Sequence, residues 1–111
     1  MTHIKRGTTP TIRVQLEGIR PEDVRRVEFM FKPFITDAGH VLLHKSYPGD
    51  VTYDDAEELW LLPLTQEDTR RLPKFKQVYM DTRIILLDGT IPTTEIVSFT
   101  VTDTLFEEAA G

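Results

Sequence analysis

The sequence predicts an all-β domain, a sandwich or a barrel of about seven strands with one short helical crossover. Apolar and polar residues alternate with a period of two in several segments, as in strands that have one buried face and one wet face. Segments rich in Gly, Pro and Asp separate these strands, as turns do. No long segment has the apolar period of 3.6 residues that an amphipathic helix requires.

The composition fits one domain that spans residues 1–111. Hydrophobic residues make up 40% of the chain, which is enough for a core, and the absence of Cys excludes disulfides. The net charge of −5 and the scattered Lys and Arg argue against nucleic acid as a partner. No apolar run is long enough for a membrane span, and the N-terminus lacks the apolar segment of a secretory signal. We therefore expect synthesis in the cytosol without Sec export, and no membrane partner.

Four segments show the clearest strand alternation. Their apolar positions are Ile12, Val14 and Leu16; Val27, Phe29 and Phe31; Val78, Met80, Ile84 and Leu86; and Val97, Phe99 and Val101. Two further segments, 41–46 (VLLHKS) and 58–64 (ELWLLPL), are apolar at both parities, so each would be buried on both sides or be an edge strand that meets a partner. Pro10 stands at the start of the first segment and favours an edge position there, because Pro cannot donate to a ladder. We expect frayed ends over about the first six residues and over 106–111.

The segment 62–72 (LPLTQEDTRRL) predicts one short helix between two strands. Thr65 is a favourable N-cap, and Asp68 stands three residues later, as in a shortened capping box. Acidic residues follow the cap, and Arg70 and Arg71 stand at the other end, which suits the helix dipole. Pro73 then ends the helix. Each polar residue thus has a local structural role, so we predict a connector and not a working site.

The pair Asp88 and Gly89 predicts a two-residue hairpin turn of type I′. The register that follows from this turn pairs Leu87 with Thr90, Leu86 with Ile91, Ile84 with Thr93, Met80 with Val97, and Val78 with Phe99. This pairing places the apolar positions of both strands on one face, and a slip of one residue would divide them between two faces. Pro92 is the weak point, because it favours a bulge or an edge position.

No motif in the sequence predicts a catalytic, cofactor-binding or metal site. On a strand, the rings of His40 and His44 would lie ~13 Å apart, which is too far for one metal ion. The acidic run 54–58 lacks the ligand alternation and the turn glycine of a calcium loop, so a solvated loop is expected. The chain has no Cys, no nucleophile motif and no phosphate-binding glycine loop. We predict no enzymatic activity and no cofactor.

The aromatic residues leave two interpretations open. A sugar-stacking platform could be formed by Tyr47, Tyr53, Trp60 and Tyr79. A core or a protein interface uses the same residue types more often. In the segment 58–64, Trp60 and Leu62 share one parity and Leu59 and Leu61 share the other, so one set is expected in the core and the other at an interface. The interface candidates are Trp60, Leu62 and Tyr79.

Four segments together carry a family resemblance. The stretches IKRGTTPTIRVQLEG, VRRVEFMFKP, LPLTQEDTRRL and LLDGTIPTTEIVSFTVTDTL resemble small proteins encoded in prophages of Gram-positive bacteria. Those proteins look like the immunoglobulin-like N-terminal β-sandwich modules of phage baseplate and tail proteins. The resemblance covers nearly the whole chain and implies an immunoglobulin-like antiparallel β-sandwich.

The resemblance also implies a role. It suggests a non-enzymatic virion structural or assembly component of the tail or baseplate type, which binds other phage structural proteins and works as a ring or multimer. We expect such a protein in the host cytoplasm during assembly, with the virion as a second location. The alternative is a carbohydrate-binding or adhesion module that uses surface aromatic residues.

Overall fold

The structure is a computed structural model that describes residues 3–36, 40–74 and 76–105. In this part of the chain, eight strands form two sheets, so the prediction of an all-β protein is confirmed. The strands are β1 (His3–Lys5), β2 (Thr11–Val14), β3 (Val24–Lys32), β4 (Leu43–Tyr47), β5 (Thr52–Asp54), β6 (Leu59–Pro63), β7 (Gln77–Leu86) and β8 (Val97–Thr102). A short helix, α1 (Gln66–Arg70), and a 3₁₀ turn at Pro21–Asp23 complete the elements.

The strands divide into a large sheet and a small sheet. The large sheet has five strands in the order β1-β8-β7-β3-β4 and is curled, and the small sheet has three strands in the order β2-β6-β5. The strand β2 lies at an edge of the small sheet, as the position of Pro10 predicted. All neighbouring strands are antiparallel except β1 and β8, which run parallel. The expectation of a wholly antiparallel sandwich is therefore wrong at this pair.

The N-terminal segment is ordered rather than frayed over residues 3–5. Ile4 is 2% exposed and lies opposite Val101 in the parallel pair. Arg6 continues the contact, because its N–H donates to the Thr102 carbonyl at 2.9 Å and its guanidinium lies 3.1 Å from the Asp103 carboxylate. Apolar burial and a charge pair thus hold a segment that lacks a strand pattern of its own. The expectation of frayed ends at residues 1–2 and 106–111 lies outside the described residues.

The core lies between the two sheets and combines apolar positions of the alternating segments with apolar residues from β1, β4, β6 and the connections. It consists of Ile4, Val24, Val27, Phe29, Phe31, Leu43, Val51, Trp60, Leu62, Leu64, Leu72, Val78, Met80, Ile84, Phe99 and Val101. Because side chains alternate between the two faces of a strand, one parity of each main strand enters this core and the other stays outside.

The helix α1 connects β6 in the small sheet to β7 in the large sheet, so the predicted crossover is confirmed. The Thr65 hydroxyl accepts the Asp68 N–H at 3.0 Å, and the Asp68 carboxylate accepts the Thr65 N–H at 2.8 Å. This is the predicted capping box. It satisfies two backbone donors that a short helix cannot pair internally.

The helix also makes long-range contacts, so its polar residues do more than the predicted local work. Asp68 is 6% exposed, and the Lys45 ammonium on β4 lies 3.0 Å from its carboxylate. The hydroxyl of Thr69, which is fully buried, donates to the Thr8 carbonyl at 2.9 Å and accepts the Gly7 N–H at 3.0 Å. The crossover is therefore joined to the β1–β2 connection and to β4.

The base of the hairpin between β7 and β8 has the predicted register. Val78 lies opposite Phe99, and Met80 lies opposite Val97. Hydrophobic parity decides this pairing, because a shift by one residue would move Val78 and Phe99 to opposite faces of the sheet.

The tip of the hairpin differs from the predicted two-residue turn. Gly89 N–H donates to the Leu86 carbonyl and Leu86 N–H donates to the Thr90 carbonyl, both at 2.9 Å, which makes a three-residue loop over 87–89. Gly89 has φ +87° at the position where such loops favour glycine. Leu87 does not pair with Thr90, because its N–H donates to the Asp23 carbonyl at 3.0 Å.

The register at the tip and the register at the base differ by one residue. Residues 91–96, which carry no strand assignment and include Pro92, absorb this difference. The predicted pairs Leu86–Ile91 and Ile84–Thr93 are therefore absent from the described ladder of β7 and β8. Pro92 has no N–H to donate, which agrees with a break at this point.

Candidate protein-binding surface

The side chains of Trp60 and Leu62 lie in the core and not on a contact surface, since both are 0% exposed. They lie on β6, the central strand of the small sheet, and their parity faces the large sheet. The opposite parity, Leu59 and Leu61, is half-buried on the outer side of the same strand. Two of the three predicted interface candidates thus stabilise the fold from inside.

Trp60 is the centre of an aromatic cluster that packs edge to face. Its ring centroid lies 5.0 Å from that of Tyr47 at an interplanar angle of 80°, and 5.0 Å from that of Tyr53 at 62°. Its indole N–H points to the Ile19 carbonyl at 3.4 Å. Edge-to-face packing suits a core. It leaves no free indole face on which a sugar ring could stack.

Tyr79, the third candidate, lies half-buried on the outer face of the large sheet. It lines a shallow groove of about 220 Å³, which we call the Tyr79 groove. The groove is lined by Met30, Lys32, Phe34, Ile35, Thr36, Tyr79, Asp81 and Ile96.

The sheet register brings the walls of the Tyr79 groove together. Tyr79 lies opposite Lys32, and Asp81 lies opposite Met30, in the antiparallel pair of β3 and β7. Neighbouring outward side chains on paired strands lie about 5 Å apart. The chain then leaves β3, and residues 34–36 form one rim of the groove.

The most exposed apolar side chains of the groove come from outside the strands. Phe34 and Ile35 are each 61% exposed, and Ile96, just before β8, is 44% exposed. The period-two alternation does not reach residues 33–36, so strand patterning missed them. The signal that could have found them is an adjacent apolar pair between Pro33 and a polar turn, where a buried position is unexpected.

A charged cluster lies on the same outer face, beside the groove. Glu28 is 8% exposed, and Arg83 contacts its carboxylate at 2.7 and 2.9 Å. His44 Nε2 lies 2.9 Å from the same carboxylate, and Arg26 lies 4.0 Å away. Burial favours the protonated acid, but the hydrogen bonds from Arg83 and His44 and the positive charges outweigh it, so the pKa of Glu28 is lowered. The cluster therefore holds a stable carboxylate that links three strands.

The residues considered for metal binding have other roles. His44 lies on β4 and contacts Glu28, whereas His40 is exposed and precedes that strand. Residues 55–58 of the acidic run form the turn between β5 and β6, where the Asp54 carboxylate accepts two backbone N–H groups. Within the described ranges, no three His, Cys, Asp or Glu side chains are grouped so that they could hold a metal ion.

No helix in the described part of the chain is both long enough and apolar enough to span a membrane. Comparisons of the chain with protein-family models, with curated proteins and with solved structures found no match.

Proposed function

We propose that this chain is a non-enzymatic protein-binding module of the phage tail or baseplate type, and that the Tyr79 groove contacts another phage structural protein. One observation carries the proposal: large apolar side chains stand exposed together beside the outer face of the large sheet. Phe34, Ile35 and Ile96 surround a half-buried Tyr79, with Lys32 and Asp81 beside them. Aromatic and aliphatic residues flanked by charge are typical of a protein interface.

The strand order supports the immunoglobulin-like part of the proposal. In such folds one sheet carries the strands B, E and D, and the other carries G, F, C and C′. The small sheet, β2-β6-β5, has the first order, and β8-β7-β3-β4 in the large sheet has the second. The helical crossover α1 then takes the place of the connection from E to F.

The two buried acids are not suited to acid–base catalysis near neutral pH. Glu28 and Asp68 both have a lowered pKa, because ion pairs and hydrogen bonds outweigh their burial. A general acid or base near neutral pH needs the opposite shift. Both carboxylates are therefore suited to structural ion pairs.

The carbohydrate-binding alternative has less support. A sugar platform requires an exposed aromatic face, and Trp60 is 0% exposed. Tyr47 and Tyr53 are half-buried with their rings against Trp60, whereas Tyr79 lies on the outer face of the large sheet. The four aromatic rings do not share one surface.

The test is binding to the tail and baseplate proteins encoded by neighbouring genes, measured with purified proteins by calorimetry. Ile35→Ser should weaken binding at least tenfold, because it removes an apolar contact that a partner would bury. Ile91→Ser is the matched control, since Ile91 is 56% exposed and lies outside the groove. Equal affinities of the two variants would exclude the Tyr79 groove as the contact site.

Two further readings separate the remaining alternatives. Failure to bind any of those phage proteins would refute the assembly role, and saturable glycan binding that depends on Tyr79 would favour the carbohydrate alternative. We propose that the chain works as a ring or multimer, in the host cytoplasm during assembly or in the virion. Light scattering on the purified chain tests its self-association. A monomer at all concentrations would exclude self-association and leave only binding to a different protein.

A further inference from the structure

A second apolar groove runs along the open side of the sandwich, between β2 and β8. It consists of two adjoining cavities of about 500 and 370 Å³, which share Val14, Gln15, Met80 and Val97. We call it the inter-sheet groove. It is separate from the Tyr79 groove, which lies on the outer face of the large sheet and shares none of these four residues.

One wall of the inter-sheet groove is the edge of a strand. In the described residues, β2 pairs with β6 on one side only, since it ends the small sheet. Six consecutive residues, 10–15, line the groove, although side chains of alternate residues point to opposite faces. A cavity that contacts both parities lies along the backbone edge. Backbone N–H and C=O groups of β2 that are not used by β6 therefore border it, and such edges readily pair with another strand.

The opposite wall carries a core position that is left uncovered. Val97 has the same parity as Phe99 and Val101, which are 5% and 0% exposed, yet Val97 is 42% exposed. Across the groove, Ile12 and Val14 are only half-buried against the core. The inner, apolar faces of β8 and β2 are thus only partly covered by the opposite sheet along this groove.

Charged residues flank the part of the inter-sheet groove that the two cavities share. Arg13 lines the cavity at one end, and Glu17 and Glu95 line the cavity at the other. All three side chains are exposed. An occupant is therefore complementary if it carries an acidic group at the Arg13 end and a basic group at the other.

We propose that the inter-sheet groove binds an extended peptide segment of a partner protein, which pairs with the edge of β2 as an added strand of the small sheet. A strand of about seven residues spans ~23 Å and would run along residues 11–17. Its alternate apolar side chains cover Val97, and an acidic and a basic residue four positions apart meet Arg13 and the two glutamates. This mode of recognition takes affinity from main-chain hydrogen bonds and specificity from alternate side chains. It is independent of the role given to the Tyr79 groove.

The probe is a capped seven-residue peptide of alternating threonine and valine, with glutamate at the third position and lysine at the seventh, synthesised in both charge orders. NMR titration of the full chain should show saturable shifts in residues 11–14, and the β2 amides should exchange more slowly. Arg13→Glu should weaken binding at least tenfold, and a peptide with lysine at both charged positions should restore it. The control is Arg71→Glu, the same charge change at a 58% exposed side chain on the helix crossover, which should bind as the wild type does.

Three results would overturn the proposal. The first is the absence of saturable binding for both charge orders. The second is binding that responds equally to Arg13→Glu and Arg71→Glu. The third is protection of the β2 amides by self-association without peptide, which would assign the edge to a second copy of the chain. Ile35→Ser should leave peptide binding unchanged, so failure here and failure of the Tyr79 groove are distinguishable.

Discussion

Replacing Asp68 by Ala should cost more stability than removing the helix cap alone. The Asp68 carboxylate accepts the Thr65 N–H at 2.8 Å and lies 3.0 Å from the Lys45 ammonium. Asp68→Ala removes both contacts, whereas Thr65→Ala removes only the hydroxyl that caps the helix. The difference between the two variants measures what the carboxylate adds to the cap.

The structure allows the magnitude to be worked out. Loss of a helix cap costs about 1 kcal/mol. A hydrogen bond to a charged group contributes about 1.5–3 kcal/mol, and breaking a fully buried ion pair costs about 3–5 kcal/mol. The Lys45 side chain keeps 18% of its exposure, so water relieves part of that cost. We expect Asp68→Ala to lower the free energy of unfolding by about 2–4 kcal/mol, and Thr65→Ala by about 1 kcal/mol.

The difference between the wild type and Asp68→Ala should depend on pH. Burial raises the pKa of Asp68, but the hydrogen bonds from Thr65 and Lys45 outweigh it, so the pKa in the folded state is lowered. A carboxylate whose folded-state pKa is lowered contributes stability above its unfolded pKa, and this contribution is lost as the pH falls through the folded-state pKa. The gap between the two proteins should therefore be full at neutral pH and should narrow in acid.

Urea unfolding at neutral and acid pH, followed by the fluorescence of the single tryptophan, measures this gap. Glu67→Ala is the control, because it removes only an exposed ion pair with Arg71 and should cost at most about 0.5 kcal/mol. Equal destabilisation by Asp68→Ala and Thr65→Ala would refute the role of the Lys45 contact. A gap that stays constant on acidification would refute the lowered pKa.

Three further outcomes are expected. Trp60 emission should be blue-shifted and shielded from soluble quenchers, because the ring is 0% exposed; red-shifted emission in the native state would contradict the core position. Gly89 has φ +87°, a left-handed backbone conformation in which residues other than glycine are strained. Gly89→Ala should therefore lower the free energy of unfolding in urea by about 1 kcal/mol; an unchanged midpoint would argue against the three-residue loop. Thr69→Val should cost about 1–3 kcal/mol in thermal unfolding, since it removes the buried hydroxyl that donates to the Thr8 carbonyl and accepts the Gly7 N–H; a neutral effect would mean that these hydrogen bonds contribute little.

The sequence by itself determined which face of each main strand is buried and where the helix begins. Val27, Phe29 and Phe31 are buried because their parity in β3 is apolar, and that property can be read without knowing the partner strand. The capping box of Thr65 and Asp68 is likewise local, since its two hydrogen bonds join residues three apart. Two local signals also predicted the pairing of the last two strands, although the turn itself has one residue more than expected.

Only the tertiary structure decided which face of an apolar segment is covered and which segments become neighbours. Trp60 and Leu62 are core because their parity on β6 faces the large sheet, an orientation that depends on the pairing of β6 with β2 and β5 on its two sides. The strand β1 forms only because it pairs with β8, which is nearly a hundred residues away in the sequence: His3 lies opposite Thr100. Phe34 and Ile35 are exposed because the chain leaves β3 before them. Such outcomes depend on long-range packing, which no local period encodes.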